Sequence, residues 1–95
     1  MRKVSLLVTV YNAVQNLPVT LQSIEEQDYQ DIEVVIVDGG STDGTLDLVR
    51  QFEGRIEDRE GICLKWVSEK DRGLYDAMNK AYGLSTGDII AVCND

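Results

Sequence analysis

The sequence predicts an α/β fold: an open parallel sheet of four strands in the order 3-2-1-4, with helices on both faces. Three observations carry that prediction. Strand-like runs and helical patterns alternate as β-α-β-α-β-α-β, with short connections and no internal repeat. The first run, Val4 to Val10, is almost wholly apolar, and the second holds the consecutive β-branched residues Val34, Val35, Ile36 and Val37. Such strands are buried on both faces, as in parallel sheets. The third run, Ile62 to Val67, mixes apolar with polar positions, as an edge strand would. Right-handed crossovers leave few topologies. A central first strand and an edge-like third strand select 3-2-1-4.

Each element has its own warrant. Thr9, Tyr11 and Asn12 come at the exit of the first strand. Asn16 and Pro18 mark a helix start, where proline's missing N–H costs nothing. Leu17, Leu21 and Ile24 form its apolar stripe, while Gln22, Glu25 and Glu26 face water. Gln27 to Asp31 is a polar turn, and Ile32 to Asp38 is the second strand. Gly39 and Gly40 then allow a sharp turn, because glycine tolerates positive φ. Ser41, Thr42 and Asp43 are capping residues, and the spacing Leu46, Val49, Phe52 predicts a helix from Thr42 to about Phe52. Glu53 to Gly61 is charged and reads as a solvated loop. Ser68 to Gly73 is a polar loop carrying Asp71 and Arg72. Leu74 to Leu84 is a third helix, with Leu74, Met78 and Ala81 on one stripe. Thr86-Gly87 ends it, Asp88 to Cys93 is the fourth strand, and Asn94-Asp95 follow.

The chain has 95 residues, read as a single domain over 1–95. No apolar run approaches the roughly 20 residues of a membrane-spanning helix. Met1-Arg2-Lys3 leads straight into a strand, without the small-residue cleavage site of a signal peptide. Cys63 and Cys93 lie in apolar runs without metal-ligand spacing, and are expected as reduced core thiols of a cytosolic protein. The chain contains no histidine, which excludes histidine-based triads and histidine metal sites. A net charge of −8 argues against nucleic acid as a partner. The same charge means that a phosphate ligand needs a positive intermediary, usually a divalent metal held by carboxylates.

Several candidate residues collect at the C-terminal ends of strands, where open α/β sheets bind ligands. Asp38 delivers a carboxylate to that rim, either to meet a ligand or to cap the Asp-Gly turn. Asp43, near a helix start, reads as a dipole or capping residue. Tyr11 with Thr9 suits a stacked base, or simply covers the sheet end. Arg72 could meet a phosphate or a base carbonyl, or be a solvated loop charge. Asn94 and Asp95 could open a metal-binding carboxylate cluster, or be a hydrated terminus. No glycine-rich phosphate motif and no calcium-loop spacing is present.

Four runs in order carry a resemblance: Val8 to Ala13 (VTVYNA), Val35 to Thr45 (VIVDGGSTDGT), Ser68 to Ala81 (SEKDRGLYDAMNKA) and Thr86 to Asp95 (TGDIIAVCND). Together they resemble family 2 glycosyltransferases, in particular bacterial members that build capsule, O-antigen or exopolysaccharide. The resemblance implies the Rossmann-like nucleotide-binding half of a GT-A fold. It implies a nucleotide-diphospho-sugar donor, a saccharide or lipid-linked hydroxyl acceptor, and sugar transfer with inversion. Thr9 and Tyr11 would border the nucleobase, Asp38 would accept from its imide N–H, and Arg72 would contact the nucleotide. Asp95 would begin the metal site for a divalent cation, Mn or Mg. The family's catalytic base has no counterpart here, so the chain is expected to be an N-terminal part that cannot transfer sugar alone. A cytoplasmic location is expected, at the inner membrane face where the acceptor is lipid-linked.

Other readings remain open. One is a nucleotide-binding module without catalysis. A nucleotidyltransferase would carry a glycine-rich basic loop after the first strand, and Tyr11 to Leu17 has neither glycine nor cation. A phosphoacceptor receiver domain would carry an acidic pair where Tyr11-Asn12 stands. The apolar fourth strand, with Ile89, Ile90 and Val92, predicts self-association through its edge.

Overall fold

Every predicted strand and helix is present. The elements are β1 (Val4–Val10), α1 (Leu17–Glu26), β2 (Ile32–Asp38), α2 (Thr45–Ile56), β3 (Ile62–Ser68), α3 (Leu74–Leu84) and β4 (Ile89–Asn94). The computed structural model describes residues 3–26, 31–70 and 73–94. All three strand pairings are parallel, and the order is β3-β2-β1-β4, as the sequence predicts.

Alternation along β2 divides the core between the two faces. Val34 and Ile36 pack with Leu17, Leu21, Val49 and Phe52, so α1 and α2 cover one side. Val35 and Val37 pack with Ala77 and Ala81 of α3 on the other. Residues Val34, Val35, Ile36 and Val37 are all 0% exposed. Full burial of such a side chain contributes about 1.5–3 kcal/mol, and all 7 residues of β2 are buried. Asp38 and its turn hang from its end.

The second helix departs from expectation at both ends. It starts at Thr45 rather than Thr42, because Ser41 and Asp43 turn their side chains to the preceding loops. It runs on through Glu53 to Ile56, into the segment expected as solvated loop. Ile56 is buried and extends the stripe of Val49 and Phe52 by another turn. The charged residues around it, Glu53, Arg55 and Glu57, belong to the outer face and mask that spacing. The cysteines also depart from expectation. Cys63 is exposed on the edge strand, and Cys93 is half-buried against the α1/α2 core; neither is in a disulfide.

The bottom of the sheet is closed by a group to which the sequence reading gave no role. Glu33 on β2 is fully buried. Its carboxylate accepts from Ser5 Oγ of β1 at 2.7 Å and from the Thr86 N–H at 2.8 Å, and pairs with Lys65 Nζ of β3 at 2.6 Å. Gly87 N–H donates to the same Ser5 hydroxyl at 2.8 Å. One carboxylate thus joins three strands to the segment that leads into β4. Burial pushes its pKa up, but the Lys65 ammonium, the Thr86 amide and the Ser5 hydroxyl outweigh that and hold it at about 2.

Candidate functional site

β1 leaves the sheet between β2 and β4, where the winding changes direction. Ligands of open α/β sheets sit in the crevice at such a point. Two loops meet there, residues 11–16 after β1 and 39–44 after β2.

Asp38 is fully buried and organises the second loop. Its Oδ2 accepts from the N–H of Gly40 at 3.0 Å, the N–H of Ser41 at 2.9 Å and the Ser68 hydroxyl at 2.8 Å. Its Oδ1 accepts from the Ser41 hydroxyl. Gly40 turns the chain here with φ 92°. The carboxylate thus ties β2 to the end of β3, as the turn-capping alternative has it.

The two loops are stitched side chain to backbone. Ser41 Oγ accepts from Asn12 N–H at 2.7 Å, and Asn12 Oδ1 accepts from Thr42 N–H at 2.9 Å. Thr45 Oγ1 accepts from Ala13 N–H at 2.9 Å and donates to Asp43 Oδ1 at 2.5 Å. Asp43 Oδ2 accepts from Val14 N–H at 3.3 Å. Asp43 thus does the capping and loop work expected of it. The Thr45 hydroxyl foremost holds its carboxyl below the ordinary value, and the start of α2 favours the negative charge.

This stitching has a chemical consequence. Nucleotide-binding α/β folds often cradle phosphate on the amides after the first strand. Here the amides of Asn12, Ala13 and Val14 are already engaged by Ser41, Thr45 and Asp43. They are not a phosphate cradle, in keeping with the missing glycine-rich motif.

Thr9 lies in register between Val37 and Asn94 and is 5% exposed, beneath the rim rather than on it. Tyr11 is on the rim with 61% of its surface exposed. Arg72 and Asp95 lie outside the described residues. Among the described residues no three His, Cys, Asp or Glu side chains stand together as a metal centre. Sequence reasoning did not single out Asn12, Ser41, Ser68 or Thr45 as site residues. A signal for Asn12 existed, since asparagine is among the few residues that enter left-handed backbone readily, and its φ is 46°.

Residues 5–95 match the family described as "Glycosyl transferase family 2". The chain belongs to that family. Among its family 2 relatives, a PGL/p-HBAD biosynthesis glycosyltransferase of Mycobacterium bovis is 41% identical over 83 residues, 87% of this chain and 31% of that protein. Glycosyltransferase AglE of Haloferax volcanii is 33% identical over 90 residues, 93% of this chain and 28% of that one. The structure is similar to mannosyltransferase PcManGT from Pyrobaculum calidifontis in complex with GDP-Man and Mn2+. The TM-score is 0.86 at 35% identity, over 98% of this chain and 27% of that one. It is also similar to S. aureus TarS 1-349 in complex with UDP-GlcNAc, with TM-score 0.78 and 26% identity over 97% of this chain and 26% of that one. This family 2 chain therefore spans less than a third of the length of these relatives, and it has the Rossmann-like, GT-A type of sheet they share.

Proposed function

We propose that this chain is the donor-nucleotide-binding part of a glycosyltransferase. The enzyme would move a sugar from a nucleotide-diphospho-sugar to a hydroxyl of a saccharide or lipid-linked acceptor, in polysaccharide or glycoconjugate synthesis. The observation that carries this reading is Tyr11: a largely exposed ring at the switch point of the sheet, beside a rigid turn. Such a ring offers a face on which a nucleobase stacks. Complexes of similar structures with GDP-Man and with UDP-GlcNAc support guanosine or uridine as the base.

Thr9 would support the base from below, and Arg72 would meet the nucleotide. With the first-loop amides engaged and a net charge of −8, the diphosphate depends on a cation. Mn2+ or Mg2+ on Asp95 is the reading, supported by the Mn2+ in the mannosyltransferase complex. When bound, such a cation offsets the charge that develops on the leaving diphosphate. A reducing compartment, the cytoplasm, suits two cysteines that form no disulfide, one of them exposed.

Calorimetry with UDP and GDP, with and without Mn2+, tests the reading. Metal-dependent binding of one nucleotide is expected, and Tyr11→Ala should weaken it by about 1–3 kcal/mol. Equal affinity of Tyr11→Ala and parent would remove Tyr11 from the site.

A further inference from the structure

Tyr11 combines an exposed ring with a backbone held on both sides. Before it, the Val10 carbonyl accepts from Gly39 N–H at 2.9 Å. After it, Asn12 N–H donates to Ser41 Oγ at 2.7 Å, and Asn12 Oδ1 accepts from Thr42 N–H at 2.9 Å. All three partners belong to the turn that Asp38 organises. Asn12 itself is in the left-handed region with φ 46°, the one non-glycine residue there among the described residues. A side chain with a Cβ resists that conformation, and asparagine resists it least. Strained backbone that persists on the rim of a site is a feature held by its surroundings.

We propose that Asn12 is a positioning residue for the ligand face of Tyr11. Its left-handed backbone, pinned by Ser41 and Thr42, fixes the angle at which the chain leaves β1. The Tyr11 ring is then presented in advance, and a base stacks on it without first ordering the loop. On this inference, which rests on the base-stacking reading above, the Asp38 turn serves binding at one remove. Asp38 holds Ser41, Ser41 holds Asn12, and Asn12 sets Tyr11.

The variants separate backbone from side chain. Asn12→Asp keeps an acceptor and tolerates positive φ. Asn12→Gly keeps only the conformation. Asn12→Ala keeps neither. Affinity for UDP or GDP with Mn2+, measured by calorimetry, should be near the parent's for Asn12→Asp. It should fall about 2- to 10-fold for Asn12→Ala, the loss of a hydrogen-bonded anchor, with Asn12→Gly between them. The deciding measurement is the same series in a Tyr11→Ala background. There the affinities should become equal, while thermal melts of the Asn12 variants still differ. An Asn12→Ala effect of unchanged size without the Tyr11 ring overturns the positioning role and leaves the base site standing. Failure of the parent to bind either nucleotide overturns the base site itself, and the positioning role with it. If Asn12→Ala does not fold, Asn12→Gly against Asn12→Asp gives the same comparison.

Discussion

Removing the Asp38 carboxylate would leave the Gly40 and Ser41 amides and two serine hydroxyls without that acceptor in a half-buried turn. Asp38→Ala is therefore expected to lower stability by about 3 kcal/mol, since buried unsatisfied groups are costly. Asp38→Asn, which keeps one acceptor oxygen, should cost less. Urea unfolding measures both, and a full-stability Asp38→Ala would show that the turn does not hang on this side chain. Glu33 gives a pH test. Its folded pKa of about 2 lies below the ordinary 4.5. A depressed folded value means that its contribution is complete above pH 4.5 and is lost as pH falls toward 2. Melting temperatures of parent and Glu33→Gln should differ most near neutral pH, draw together below pH 4.5 and converge only as pH falls to about 2. A gap independent of pH would show that the charge of Glu33 is not what matters. At this scale the sequence places Asp38 and Tyr11 at the rim, because strand ends are legible. It is silent on partners such as Ser68 and Thr86, which tertiary pairing alone brings within reach across 30 and 53 residues.

Among the elements, the connection from α3 into β4 is the most tightly built. A Cβ on Gly87 would stand 2.7 Å from Ser5 N and 2.9 Å from the Lys3 carbonyl oxygen, and would also meet Ser5 Oγ. Two of these three are backbone atoms, of β1 and of Lys3 just before it, and cannot swing away. Gly87→Ala should therefore destabilise by about 1–3 kcal/mol, the usual cost of overpacking. It should also speed amide exchange in β4 more than in β2. Uniform exchange across the sheet would show that β4 is not docked through this contact. Strands and helices were legible wherever period and burial agree: β2 is apolar on both faces because both faces are covered. The end of α2 was not legible, because Ile56 continues the stripe inside a run of charges. The start was not legible either. Ser41 looks like a cap in sequence, but its hydroxyl reaches the β1–α1 loop; Asp43 divides its oxygens between that loop and the Thr45 amide, and Gly44 stands at the N-cap position.

For the molecule as a whole, opposing features meet at β4. Its ladder neighbour is β1, and no strand lies on its other edge among the described residues. Ile89 is 43% exposed, Ile90 38% and Val92 47%, and no charged residue interrupts the strand from Ile89 to Asn94. An apolar, uncharged edge is a template for pairing with another strand. Against this stands the net charge of −8, which repels a second copy. The repulsion is screened over about 10 Å at 0.1 M salt, while backbone pairing and apolar contact are not. These 95 residues are therefore expected to self-associate through β4, weakly at low salt and more strongly as salt rises. Sedimentation velocity over a concentration series reads this as a mass that grows with protein and with sodium chloride. Val92→Lys places a charge on the edge and should restore the monomer without unfolding it, since Val92 is already half exposed. A clean monomer at high protein and high salt would show that the β4 edge does not pair. Association undiminished in Val92→Lys would place the contact elsewhere.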